Sequence, residues 1–326
     1  MSELHKFIFE GLPVRGALVV LDDAWQEVLR RRTANTQTGA YPPPVAELLG
    51  EMAAAAVLMQ SGIKFDGALV MQIFGDGPVK LAVAEVQSDL RLRATASVTG
   101  AVAPDATLAQ LVNARGQGRC AITLDPRLRL PGQQPYQGVV PLAGPGGVAL
   151  RGMAEVIEQY MRQSEQLDTT LVLAADDTRA AGLLLQRLPV QGQHNLAQRQ
   201  VAHEEGEQDD AFERLSLLAR SLKREELLQL DADTVLRRLF WQEPLQRFEP
   251  RQGASGPRFA CSCSRERVGA MLKGLGRDEA ESILREQGQV EVSCDFCGQQ
   301  ERFDAVDVGR LFTPAAQQPP QPGSVQ

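Results

Sequence analysis

The chain has 326 residues, 43% of them hydrophobic and 23% charged, with five cysteines and a formal net charge of −7. That is the make-up of a globular protein long enough to bury a sizeable core and to form two or three structural units. The acid excess argues against a nucleic-acid binder, which needs a basic face for phosphates. The longest apolar run, MAAAAVLM from Met52, is too short to span a bilayer.

Residues 1–192 read as one α+β unit. Strand-like runs cover Gly16–Leu21, Gly67–Gly75, Val79–Val86, Leu90–Val98, Cys120–Leu124 and Gln137–Gly144. Several alternate apolar with polar residues, the mark of a half-buried antiparallel strand. GDGP at Gly75–Pro78 is a turn signal between two of them. Helical patterns fall at Pro44–Gln60, after the loop YPPP, and at Val148–Gln163.

From about Gln193 the texture changes. The stretch QGQHNLAQRQVAHEEGEQDD is polar and short of large apolar residues, which makes it a loop or loose connector. Phe212, Leu215, Leu218 and Leu222 then recur at helical spacing behind Asp210, a candidate N-cap. A second helical piece carries Val235, Leu236, Leu239 and Phe240 and stops at Pro244. Residues 193–250 hold 8 basic and 12 acidic side chains, a net −4. Such helices have little core of their own and need a neighbour to dock on. Residues 193–257 are therefore assigned as a helical linker. Residues 258–312 form a small cysteine-bearing unit, and residues 313–326 a Pro/Gln-rich tail without fixed structure. The expected fold class is α+β: an N-terminal core with antiparallel sheet, the helical linker and a small C-terminal metal-binding domain. No internal repeat is present.

The strongest chemical signal lies in that last unit. Cys261-x-Cys263 is followed, 30 residues later, by Cys294-x-x-Cys297. Two short-spaced thiol pairs can close a tetrahedron around Zn²⁺ with Zn–S distances of about 2.3 Å. A region this small has a small core, so the metal can be its main staple. With all four ligands from protein, no position is open for substrate, which disfavours a catalytic zinc. Arg265 and Arg267 can offset the charge of four thiolates, and Ser262, Ser264 and turn N–H groups can donate to sulfur. The thiolate is also the form that oxidants attack, and each pair has a partner one or two residues away. The spacing thus allows a reversible switch as well as a static knot.

Other candidates are weaker. GPGGVA (Gly144–Ala149) formally fits G-x-G-x-x-A with Asp168 about 20 residues on, but Pro145 removes an N–H and no βαβ pattern surrounds it; a plain Gly-rich turn is favoured. HEEGE (His203–Glu207) lacks the second histidine of a zinc-protease helix and reads as a solvated charge run. Cys120, in an apolar strand, reads as an inert core thiol. No catalytic constellation emerges, so the expectation is not an enzyme.

At Cys261–Arg267, CSCSRER, the chain resembles the heat-shock protein 33 family of bacterial redox-regulated chaperones. KFDG (Lys64–Gly67), GDGPVKLAV (Gly75–Val83), YQGVV (Tyr136–Val140), YMRQSEQL (Tyr160–Leu167), LLLQRLP (Leu183–Pro189) and CDFCG (Cys294–Gly298) extend the resemblance from about Phe7 to Phe312, in family order. The resemblance implies that Cys261, Cys263, Cys294 and Cys297 bind one Zn²⁺ in a reduced, inactive form. It implies that oxidation joins Cys261 to Cys263 and Cys294 to Cys297, releases zinc and unfolds the linker. The expected activity is that of a cytoplasmic, ATP-independent holdase under oxidative stress. Its partners are unfolding client proteins and, when oxidised, a second copy of itself, with no nucleic acid or membrane. Phe212, Leu215, Leu239, Phe240 and Trp241 are the apolar linker residues such a switch would release to clients. Two stretches depart from the family pattern: Arg30–Pro44 is long, and the connector Gln193–Asp210 is extended. Two other readings stay open on the sequence: a zinc-ribbon binding module, weakened by the −2 charge of residues 258–312, and a thiol oxidoreductase using Cys294-x-x-Cys297.

Overall fold

The computed structural model describes residues 1–35, 38–128, 132–189 and 210–313, and the chain divides into two compact units, Met1–Ala260 and Cys261–Gln326. The connector before Asp210 and the tail after residue 313, with HEEGE among them, lie outside the described residues. Among the described residues no helix is long and apolar enough to cross a membrane.

The first unit is built around α2 (Pro43–Gly62), a helix apolar on nearly every side. Such a helix must be covered all round. Two six-stranded sheets do this, and α2 packs on strands of both. One sheet runs β10-β1-β2-β9-β8, with β11 also paired to β1. Its strands are β1 (Glu3–Phe9), β2 (Val14–Leu21), β8 (Thr169–Ala175), β9 (Ala180–Arg187), β10 (Leu245–Arg247) and β11 (Arg251–Gln252). The other runs β12-β5-β4-β3-β6-β7, from β3 (Gly67–Phe74), β4 (Val79–Gln87), β5 (Arg91–Val98), β6 (Arg119–Pro126), β7 (Tyr136–Pro141) and β12 (Arg258–Phe259). All pairings in these sheets are antiparallel except β12 on β5. The main core lies around α2: Leu49, Met52 and Val57 meet Val19, Met71, Ala84 and Leu171.

The six expected strands are all present, and the first helical pattern becomes α2. The second is shorter than expected. The helix α4 (Met153–Tyr160) begins only after Gly146 and Gly147, whose φ of 71° and 79° no helix accommodates, and after extended Gly152. GPGGVA is thus a turn, and Asp168 sits within ion-pair distance of Arg187 at 3.8 Å. β1, β8 and β9 were not among the runs picked out from sequence, nor were α1 (Asp23–Ala34) and the single turn α3 (Leu108–Val112). Arg30 to Ala34, read as the start of a long loop, are the last turn of α1.

The outer face of the first sheet carries a second apolar cluster. Phe7, Phe9, Leu18 and Leu183 are covered there by helix α5 (210–220), α6 (Arg224–Gln229) and α7 (Ala232–Phe240). Asp210 is already helical where the described segment starts, and Leu222 falls just past the end of α5. The amphipathic segment read as a linker therefore docks on the sheet within the first unit. Leu215, Leu239 and Phe240 are buried, Phe212 is half-buried, and Trp241 is 72% exposed. Polar ties accompany the packing. Thr170 donates to Ser216 in a buried 2.8 Å hydrogen bond, Arg179 reaches the Leu228 carbonyl at 2.8 Å, and Arg224 pairs with Glu47 at 2.9 Å.

The second unit holds α8 (Arg265–Leu275), α9 (Arg277–Gln287), the hairpin β13 (Val290–Ser293) with β14 (Gln300–Phe303), and α10 (Ala305–Phe312). Among its described residues the buried apolar core is the small cluster of Leu272, Ala280, Val290, Phe303 and Val308.

Candidate metal centre

Each cysteine pair is held by a local device. Cys261 and Cys263 lead directly into α8, whose N-cap is Ser264; its hydroxyl accepts the Arg267 N–H at 3.3 Å. Cys294 and Cys297 form the turn of the β13–β14 hairpin. There the Cys294 N–H donates to the Gln299 carbonyl at 2.9 Å, and the Gly298 N–H to the Cys294 carbonyl at 2.8 Å. Gly298 has φ 71°, a left-handed conformation that a glycine adopts at no steric cost.

These devices bring four sulfurs together. Cys261 Sγ lies 3.6 Å from Cys294 Sγ, and Cys263 Sγ lies 3.2 Å from Cys297 Sγ. All four lie within 4.8 Å of one another. A tetrahedron with metal–sulfur bonds of about 2.3 Å has sulfur–sulfur edges of about 3.8 Å, so the donor set fits a tetrahedral thiophilic ion. Cys297 is buried and the other three are half-buried.

The electrostatics point the same way. Burial first, and then the crowding of Cys297 and Cys261, push the Cys263 thiol up to about 12. The Cys261 thiol and then burial hold Cys294 well above the ordinary thiol range, while the N–H groups of Cys297 and Phe296 pull it back. Four sulfurs this close cannot all become thiolates by themselves; a bound cation removes that repulsion. The N–H donors at Cys294 are the turn amides that the sequence reading anticipated.

The arginines divide the work differently from expectation. Arg267 donates to Ser262 Oγ at 2.5 Å beside the first pair. Arg265 is committed to the unit's scaffold: it donates to Asp307 at 2.6 Å and to the Arg302 carbonyl at 2.7 Å, and stacks 4.2 Å from the Phe303 ring centroid. Sequence reasoning missed Gln299, whose side-chain oxygen lies 3.6 Å from Cys263 Sγ. Its position two residues beyond Cys297 was the available signal. Cys120 is fully buried and raised to about 12 by that burial, consistent with an inert thiol.

The Cys294-x-x-Cys297 pair sits between two antiparallel strands, not between a strand and a helix of a βαβ unit. The geometry is that of a four-thiol metal centre in a small unit of its own, carried by an α+β protein with two sheets around a buried helix. The family model for Hsp33 protein matches residues 2–304. The chain is 44% identical over 311 residues to a 33 kDa chaperonin of Chromobacterium violaceum, covering 95% of this chain and 94% of that one. It is 40% identical to a 33 kDa chaperonin of Methylobacillus flagellatus, covering 96% and 94%. The crystal structure of a 33 kDa chaperonin from Thermotoga maritima has the same fold, with a TM-score of 0.71 at 19% identity over 95% of this chain and 98% of that one. The chain belongs to the Hsp33 family, a family of chaperones.

Proposed function

We propose that this chaperone is a redox-regulated, ATP-independent holdase that captures unfolding proteins in the cytoplasm under oxidative stress. The observation that carries the reading is the convergence of Cys261, Cys263, Cys294 and Cys297 in a unit whose buried apolar cluster, among the described residues, is five side chains. Bound there, Zn²⁺ holds the sulfurs as thiolates and staples that core. Cys261 with Cys263, and Cys294 with Cys297, then act as two dithiols. Each pair gives two electrons to an oxidant such as peroxide, which is reduced to water while a disulfide forms. A disulfide sulfur is a poor ligand, so the site loses its metal and the unit its staple.

The docked helices supply the second half of the reading. They hold Phe212, Leu215, Leu239 and Phe240 against the sheet, with Trp241 already exposed. Undocking them releases one apolar stripe to clients and to a second copy of the chain. The chain then works stoichiometrically, without turnover.

The test is aggregation of a heat-denatured client with the zinc-loaded protein, before and after peroxide. Zinc release is followed with a chromophoric chelator, and the disulfides by peptide mapping. Suppression of aggregation that arises together with zinc loss and with Cys261–Cys263 and Cys294–Cys297 bonds is the expected result. Zinc loss without suppression defeats the gating. Bonds joining Cys261 to Cys294 and Cys263 to Cys297, across the two pairs, defeat the neighbour pairing.

A further inference from the structure

The first unit contains a cavity of about 250 Å³ lined by residues of both sheets and by the C-terminal end of α2. Its wall is mostly apolar, with Leu58, Leu69, Ile122 and Leu184 among the side chains. Two cations also line it. Lys6 donates from Nζ to the Ser61 carbonyl at 2.8 Å. Arg15 donates from Nη1 to the Gly62 carbonyl at 2.8 Å and from Nε to Gln186 Oε1 at 2.9 Å.

All three partners are neutral. Ser61 and Gly62 end α2, and a helix C-terminus carries only about half a negative charge. Among the described residues neither Lys6 nor Arg15 has an ion-pair partner, so each charge is offset only in part beside an apolar cavity. Lys6 is held below its usual range by burial and then by the nearby Arg15 and Arg251, a crowding of cations that an anion would relieve. The carboxylate on the wall, Glu165, accepts the Tyr160 hydroxyl at 3.0 Å and the Tyr136 hydroxyl at 3.4 Å.

We propose that this cavity binds a medium-chain acyl carboxylate, with its tail among Leu58, Leu69, Ile122 and Leu184 and its head group against Lys6 and Arg15. Ammonium and guanidinium donors suit a carboxylate through charge-assisted hydrogen bonds. The volume is just below the lower end of the about 300–1,000 Å³ common for small-molecule sites, which favours a medium chain over a long one. A polypeptide segment would bring backbone N–H and C=O groups into an apolar space with few partners for them. An acyl chain carries its polar group at one end only.

The probe is sodium decanoate, titrated calorimetrically into the full-length zinc-loaded protein below the concentration at which decanoate forms micelles, with decanol as the uncharged comparison. We expect saturable binding of one decanoate per chain and decanol weaker by about tenfold, the worth of one charge-assisted contact. Lys6→Met should weaken decanoate about tenfold and leave decanol unchanged. Met59→Trp, which fills the cavity, should abolish both; if that variant does not fold, Ile63→Trp at the partly exposed edge takes its place. Absence of saturable binding overturns the proposal. So does equal affinity for decanoate and decanol, which marks an apolar hole without anion selectivity. Unaltered binding by the cavity-filling variant places the ligand elsewhere and overturns it too.

Discussion

The ring of Phe240 stands at 90° to that of Phe9, with centroids 5.1 Å apart. Phe9 ends β1, Phe240 ends α7, and Phe7 joins them, 5.6 Å from Phe9 and 6.1 Å from Phe240. This aromatic cluster fastens the late helical segment to the first strand of the chain. Edge-to-face pairs contribute about 0.5–1.5 kcal/mol beyond their burial.

Phe240→Ala should therefore cost about 3–5 kcal/mol of docking, the usual loss for a buried Phe truncated to Ala. Amide exchange should accelerate across residues 210–240 while β3 and β4 keep their protection. If the proposed gating is right, the reduced variant also suppresses client aggregation without oxidant. Unchanged exchange in α5 to α7 would show that the cluster is not what holds them.

Removal of the metal should unfold the second unit and leave the α2 core of the first unit in place. Its buried core of Leu272, Ala280, Val290, Phe303 and Val308 is too small to compensate for the chain entropy of five elements. Chelation in the presence of a thiol reductant should abolish exchange protection across residues 261–313 and leave the main core around α2 protected. Persistent protection of β13 and β14 in metal-free protein would contradict a metal staple.

The stability of the first unit should carry a pH signature from Glu51. Its carboxyl accepts the Met153 N–H at the start of α4. Burial, and to a lesser degree the Glu47 charge, push it up to about 7, while that N–H and Arg224 pull it back. A carboxyl raised in the folded state favours the protonated form there. Its contribution is complete below about pH 4.5 and is lost as the pH rises through about 7. Glu51→Gln keeps an acceptor without the charge. It should raise stability at about pH 8 by about 1–3 kcal/mol and flatten the slope between about pH 5 and 7. Urea midpoints across that range provide the measurement, and an unchanged slope counts against the assignment.

Gly50 lies where α2 packs closely on β8 and β9 of the first sheet. A Cβ built there falls inside the contact distance of the Ala175 Cβ, and it meets Trp25 at 3.2 Å as well. Gly50→Ala improves helix propensity by about 1 kcal/mol, yet overpacking of a rigid core costs about 1–3 kcal/mol. Net destabilisation in a urea titration is the expected sign. Net stabilisation would mean that the helix and sheet can separate slightly at this point.

Much of this fold is legible in the sequence. Several of the strands from β2 to β7 announce themselves by alternation, β2 by a short apolar run after Gly16, and α2 by an apolar run with prolines at its entry. β8 and β9 did not, because both are largely buried: a strand such as AAGLLLQR reads as an apolar stretch without a period. β1 has no clean alternation, because the polar His5 is buried beside Leu4. The late helices showed their stripes, but their partner surface is assembled from β1, β2, β8 and β9, which no local pattern can pair.

The four cysteines and their grouping in twos were fixed by spacing alone, because ligands one or two residues apart must share a turn. Which sulfur of one pair meets which of the other was decided by tertiary structure: the start of α8 is set against the β13–β14 hairpin, so Cys261 meets Cys294 and Cys263 meets Cys297. The same distinction separates Arg267 from Arg265. Both stand beside CSC in the chain, but the helix that Ser264 caps turns one toward Ser262 and the other onto Phe303 and Asp307. Lys6 and Arg15 sit on adjacent strands in one pairing, and only the end of α2 packed across them makes two ordinary surface-type residues into the charged end of a cavity. Sequence sets what is near along the chain, where covalent geometry dictates distance. Packing sets what is near in space, because burial rewards contacts between segments that the chain order leaves far apart.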